Sequence, residues 1–177
     1  MIALHPRRDD LLAAMDLVAS ALGRARVSIV EMDPRADEAR YCLGEYYAEL
    51  SRRFEQGFDV SLSRDPDAKD MIRPRGAFLV AMSDELPIGC VGLKGSGGDT
   101  AEVKRLWIAP SARGLGLSKR LMEATEAAAR ELKIKVLRLD TNRALPEAIA
   151  LYRNSGWTEI DRFNDDPYPD YFFEKVL

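Results

Sequence analysis

The segment Arg113-Gly114-Leu115-Gly116-Leu117-Ser118 lies between an apolar run ending at Pro110 and a helical pattern carried by Leu117, Leu121, Ala124, Ala128 and Leu132. The start of a helix leaves about four backbone N–H groups unpaired, and the macrodipole puts partial positive charge there. Glycines remove the β-carbons that would hold a large anion away. A strand–turn–helix of this composition suits a phosphate or pyrophosphate, and Arg113, Lys119 and Arg120 raise the local potential. The same residues also fit a tight turn in which the glycines only allow close packing. A Walker loop is excluded, because no glycine is followed by Lys-Ser/Thr at the required spacing. A second cluster, Asp165, Asp166 and Asp170 with Tyr168 and Tyr171, sets carboxylates beside aromatics and could enclose a cationic amine. A solvated acidic turn between two strands is the alternative.

These groups need elements to hold them. Leu11, Met15, Val18, Ala19 and Leu22 recur at helical spacing, with Gly23 as a stop. Residues 26–32 alternate like a strand and close at Asp33-Pro34. A second helical pattern carries Ala39, Leu43, Tyr47, Leu50 and Phe54 on one face, and Gly44 is a point where it could divide in two. Residues 57–76 are polar, hold two prolines and have no clear period, as a functional lid or a disordered segment would. The short apolar runs "AFLVAMS" and "IGCVGLKG" read as a hairpin, and Gly95–Gly98, which lacks a GxGxxG pattern, reads as the next turn. After them come a strand "TAEVKRLWIA", a helix from about Gly114 to Leu132 and a strand "KVLRLDT". A helix near Pro146 to Asn154 and strands near Trp157–Asp161 and Tyr171–Val176 end the chain. The order α-β-α-loop-β-β-β-α-β-α-β-β predicts an α/β fold, with a mixed sheet and helices on its faces.

With 177 residues the chain suits a single substantial core. A net charge of -3 argues against nucleic acid as the main partner. Cys42 and Cys90 lack metal-ligand spacing and His5 is the sole histidine, so no metal is expected. Cys90 reads as a small core residue, Cys42 lies in a helical pattern, neither has a base nearby in sequence, and His5 reads as inert. Asp9, Asp10 and Asp16 interrupt the first apolar stretch, which excludes an export signal. No run approaches the ~20 apolar residues that span a bilayer. A cytoplasmic protein without a membrane partner is the expectation.

The run "AEVKRLWIAPSARGLGLSKRLM" resembles the signature segment of the GNAT superfamily of acyl-CoA-dependent N-acetyltransferases, Arg/Gln-x-x-Gly-x-Gly/Ala after a strand that ends near a proline. Arg113 and Gly116 match it, and Ser118 stands where Gly or Ala is usual. "TNRALPEAIALYRNSGWTEI" is similar to the family's second segment through Asn142, Ala148, Leu151, Tyr152 and Gly156, with Trp157 in place of the more frequent Phe. The likeness is strong from Gly76 to Gly156, looser over residues 26–75, and leaves the first 23 residues unexplained.

The resemblance implies a mostly antiparallel sheet of six or seven strands whose central parallel strands splay apart. Residues 1–25 would form an N-terminal helical extension and 26–177 the acetyltransferase domain. It implies acetyl-CoA as co-substrate, with Leu106, Trp107 and Ile108 along the pantetheine and the amides of Arg113 to Ser118, Gly114, Leu115, Gly116 and Leu117 among them, on the pyrophosphate. Asn142 would hydrogen-bond the pantetheine or nearby chain. Tyr152 corresponds to the family's general acid, although its spacing alone suits an aromatic packing residue. Glu102 occupies the strand where several members carry a base; period 2 sends it to one face with Lys104 and Leu106, and an exposed carboxylate paired with Lys104 or Arg105 is the other reading. Acceptor specificity would fall to Tyr46, Tyr47, Glu49, residues 57–76 and the connection containing Tyr168. The function so implied is transfer of an acetyl group to a primary amine of a small molecule, peptide or protein. A non-catalytic acyl-CoA sensor and a bare nucleotide-binding domain are the rivals, and a homodimer is compatible with either. No acidic residue is marked out for a ribose, which sets the nucleotide reading back.

Overall fold

A computed structural model describes residues 27–62 and 68–177. The helix expected over 11–22, and with it the extension assigned to 1–25, lies outside the described residues. In chain order the elements are β1 (Val27–Glu31), α1 (Asp37–Arg53), β2 (Ala77–Ser83), β3 (Leu86–Gly95), β4 (Thr100–Ile108), α2 (Leu117–Glu131), β5 (Val136–Thr141), α3 (Pro146–Arg153), β6 (Thr158–Ile160) and β7 (Tyr171–Val176). They build one seven-stranded sheet of order β1-β2-β3-β4-β5-β7-β6. β4 and β5 run parallel, and the other neighbouring strands pair antiparallel. No helix among the described residues is long and apolar enough to cross a membrane.

The sheet is covered on both faces, which is why β2 reads as an unbroken apolar run rather than an alternating one. On one face Leu79, Val91, Leu93, Val103, Leu139 and Phe173 pack beneath Leu121 and Ala128 of α2 and Ile149 and Tyr152 of α3. On the other, Phe78, Val80 and Cys90 meet Ala39, Cys42 and Leu43 of α1, with Ala68 and Met71 plugging the end. Cys90 is a buried free thiol, as expected, and Cys42 is one too. Segment 57–76 is less featureless than its composition suggested. It holds a short 3₁₀ turn, Val60–Leu62, and Met71, whose sulfur fills the space beside Gly92 that a β-carbon would need.

α1 runs unbroken through Gly44. A glycine inside a helix costs about 1 kcal/mol relative to alanine. Gly44 is exposed and the buried stripe of Ala39, Cys42, Leu43 and Leu50 passes beside it, so packing holds the helix together. Asp37 and Glu38 in the first turn and Arg52 and Arg53 in the last complement the macrodipole.

Two irregularities in β4 shape everything downstream. Cys90 pairs with Trp107 but Gly92 pairs with Lys104, so Arg105 and Leu106 share the place opposite Val91. Arg105 takes the left-handed conformation at φ 59°, and the Cys90 thiol donates to its carbonyl at 3.3 Å. This bulge breaks the alternation expected from period 2. Val103 faces α2 and α3, Trp107 faces α1, and Leu106 packs with the α2–α3 core instead of sharing a face with Glu102 and Lys104. The second irregularity is that β4 and β5 pair only from Thr100–Val136 to Val103–Leu139. Beyond that rung the strands part, and the β4 edge toward Ile108 is left to a cleft.

Candidate active site

Gly114 and Gly116 adopt φ of 74° and 76°, a region open to glycine and strained for other residues. Gly116 is the residue before α2, and no side chain caps this end. The amides from Gly114 to Lys119 donate to no other described residue; the next one, Arg120 N–H, returns to the Gly116 carbonyl at 3.2 Å. A β-carbon at Gly114 or Gly116 would meet no protein atom within 4 Å. The turn is therefore not packed closed, as the tight-turn reading required. It presents a row of bare donors to open space.

That space is a cleft of 380 Å³ lined by Leu106, Trp107, Ile108, Arg113, Gly114, Gly116, Leu117 and Ser118. Leu115 stays out of the lining. Arg113 donates through Nε to the Ile108 carbonyl at 3.0 Å and through Nη2 to Glu49 Oε2 at 2.6 Å. Glu49 Oε2 also accepts the Trp107 indole at 3.2 Å, and its Oε1 accepts Arg53. Glu49, proposed from sequence on the acceptor side, thus stands in the wall of this cleft. Arg53 goes on to grip Glu147 and the Ala144 carbonyl of the α3 segment, so α1 and α3 are fastened together across the sheet opening.

A second cavity, of 130 Å³, continues from the first. Tyr46, Leu50, Leu106, Leu145 and Ala148 border both. The second alone reaches Tyr152, Asp140, Asn142, Tyr47 and Tyr168. The two cavities meet where β4 and β5 diverge.

Tyr152 is buried to 5% exposure, its ring set against Trp157 and Phe173, and it lines the second cavity. Burial raises its pKa well above the ordinary tyrosine value, and the negative charge of Asp140 adds to the effect. Tyr46 is shifted upward for the same principal reason. Both phenols are held in their protonated form. Asp140 lies at the first rung after the strands part; its Oδ2 accepts from Lys104 Nζ at 2.6 Å and from Asn164 Nδ2 at 2.7 Å. Burial by itself would lower the Lys104 ammonium, but Asp140 and Glu102 outweigh it and raise it. Glu102 lines neither cavity. Its Oε2 is buried without a hydrogen bond, 3.4 Å from Lys104 Nζ.

Asn142 works within the chain: its Nδ2 donates to the Tyr168 carbonyl at 2.6 Å and its Oδ1 accepts from Ala144 N–H at 2.8 Å. Tyr168 in turn accepts the Asp59 amide at 2.9 Å on its hydroxyl. The acidic cluster read from sequence is not one cluster here. Asp170 is bound by Arg143, Asp165 is exposed, Tyr171 lies under Arg153, and Asp166 and Tyr168 line the second cavity. Phe58 falls within the segment 57–76 expected on the acceptor side, whereas sequence reasoning missed Lys104–Asp140–Asn164 and Phe54 as site residues. They sit on separate elements at spacings that carry no pattern, and an alternating strand carboxylate such as Asp140 looks like surface until the splay is known. Among the described residues no group of three or more His, Cys, Asp or Glu side chains is placed to hold a metal ion.

Residues 43–157 match the acetyltransferase (GNAT) family profile. A protein of Azospirillum brasilense named IAA acetyltransferase is 36% identical over 135 residues, 73% of this chain and 86% of its own length. An acetyltransferase of the GNAT family from Staphylococcus aureus superposes with a TM-score of 0.74 at 19% identity, over 85% of this chain and 99% of its own. The PaiA N-acetyltransferase of Thermoplasma acidophilum, solved in complex with coenzyme A, does so with a TM-score of 0.62 at 19% identity over 85% and 99% of the two chains. With the splayed parallel strands and the glycine turn already in place, the chain belongs to the GNAT family of acetyltransferases and is an acyltransferase.

Proposed function

We propose that this protein transfers the acetyl group of acetyl-CoA to a primary amine by direct attack while both substrates are bound. The observation that carries the reading is the row of unengaged amides from Gly114 to Lys119, opening on a cleft that follows the β4 edge and continues into the cavity lined by Tyr152. Bare N–H groups at a helix start favour a diphosphate. An unpaired strand edge favours the amide-bearing pantetheine arm, which satisfies the donors and acceptors the splay exposes. The coenzyme A carried by the Thermoplasma neighbour supports the same ligand class.

In the reaction the amine nitrogen forms a bond to the thioester carbonyl carbon. The carbonyl oxygen gains negative charge, which a β4 amide near Ile108 stabilises. The carbon–sulfur bond breaks, the sulfur takes the Tyr152 proton, and the proton shed by the new amide nitrogen restores the phenol. The acceptor enters as an ammonium with an ordinary pKa of about 10, so one further proton has to leave beforehand. Glu102 borders neither cavity and its Oε2 has no hydrogen-bond partner, so Asp140, which lines the second cavity, is the carboxylate placed to take that proton. An amine-panel assay reading free CoA tests the proposal: coenzyme binding by calorimetry with no amine acetylated would reject it.

A further inference from the structure

The second cavity says more about the acceptor than that it is an amine. Its outer wall is a set of touching rings. Phe58 lies 4.8 Å from Tyr168, 5.8 Å from Tyr47 and 6.0 Å from Phe54 between centroids, and Tyr46 is 5.5 Å from Tyr47. These separations are those of offset and edge-on aromatic pairs, and all the rings border the cavity. Asp140 lines the same cavity. Its Oδ2 is taken by Lys104 and Asn164, whereas its Oδ1 accepts from no described residue and is not sealed from the cavity. The carboxylate is near enough to Tyr46 and Tyr152 for its charge to act on both phenols. Asp140 is thus held in place by two hydrogen bonds on Oδ2, with its other oxygen left for the cavity that Tyr152 and the rings also line.

We propose that the acceptor is a primary amine carrying an aromatic ring, its ammonium docked on Asp140 Oδ1 and its ring seated against Phe58, Tyr47, Phe54 and Tyr168. This rests on the acetyl-transfer reading and names the substrate class of that site. Cation and ring chemistry agree: an ammonium is favoured by a carboxylate beside aromatic faces, and an aryl body replaces water against them. A polyamine fits worse. Lys94, Lys104 and Arg105 border the same cavity against Asp140 and Asp166, so a second positive charge meets no surplus of carboxylate among the described residues. At 130 Å³ against 380 Å³ for the coenzyme cleft, the cavity suits a compact acceptor.

The test is ligand-observed NMR and calorimetry on the coenzyme A complex with 2-phenylethylamine, butylamine and putrescine, followed by acetylation assays with acetyl-CoA. The expected result is at least tenfold tighter binding of 2-phenylethylamine than of the other two. Asp140→Asn should weaken it at least tenfold with coenzyme affinity unchanged, and Phe58→Leu should erase the preference for the ring. Equal binding to wild type and Asp140→Asn, a preference for butylamine or putrescine, or no amine bound at all overturns the assignment. Phe58→Leu decides the matter alone if Asp140→Asn does not fold: a preference left intact rejects the ring seat. A bound 2-phenylethylamine that is never acetylated defeats the transferase reading and leaves this pocket standing. An acetylated amine that ignores Asp140 does the reverse.

Discussion

Replacing Gly116 with alanine separates two consequences that usually arrive together. At φ 76° and ψ 10° a β-carbon forces left-handed strain, about 1–2 kcal/mol. The added carbon meets no protein atom, so strain is the whole of the stability loss. For a chain of 177 residues, 1 kcal/mol moves the melting temperature by about 2–4 °C, and the expected drop is about 2–8 °C. Gly97 provides the control: φ 91°, nothing within 4 Å, and no place in either cavity. Gly97→Ala should lose comparable stability. Only Gly116→Ala puts a methyl group over bare amides in the cleft, so only there should acetyl-CoA affinity fall, by at least tenfold, which is about 1.4 kcal/mol. Calorimetric titration and thermal melts of both variants read the two quantities independently. A Gly116→Ala protein with coenzyme affinity within twofold of wild type would refute the anion cradle, whatever its melting temperature.

Tyr152→Phe should lower turnover about 10²–10⁴-fold, the range for a lost general acid, while coenzyme affinity changes less than threefold; steady-state CoA release beside a binding titration checks it, and undiminished turnover rejects the acid. Because burial raises Tyr152 and Tyr46 in the folded state, the native chain keeps these protons to higher pH than the unfolded chain, whose tyrosines titrate near 10. Stability should thus be unaffected by them below about pH 10 and fall above it, by about 1.4 kcal/mol per pH unit for each proton retained. Urea unfolding from pH 9 to 11 should show a shallower decline in Tyr152→Phe, and parallel curves would contradict the burial argument. Glu102→Gln should slow acetylation less than Asp140→Asn, since Glu102 borders neither cavity; the reverse order in matched assays would make Glu102 the closer participant. Glu49→Gln weakens the hold on Arg113 and Trp107 and should loosen coenzyme binding or speed its release, read by stopped-flow; identical rates would show the hub to be passive.

From residue 27 onward the sequence by itself determined the element order, the two-faced core and the glycine turn, because each is local. Periods of 2 and 3.6 read out which side chains need covering. A Gly-x-Gly ahead of an amphipathic helix marks the turn, and the open space around it decided between an uncapped amide row and a closely packed turn. Arg113, Gly116 and Tyr152 were singled out by the resemblance to the family's two segments, since spacing alone left Tyr152 an aromatic packing residue. The tertiary structure alone decided where β4 stops obeying its period. Arg105 enters the left-handed region because Cys90 and Gly92 hold β3 in a register one residue short, and no local pattern in "EVKRLWI" announces that slip. It also decided which carboxylate reaches the cavity. Asp140 and Glu102 are both strand acids with a lysine nearby, but the strands part just past Val103 and Leu139, turning one toward open space and leaving the other walled in. The ring cluster likewise exists only because α1, the segment after it and the β6–β7 connection converge, and convergence of distant segments is a property of packing that no spacing along a chain encodes.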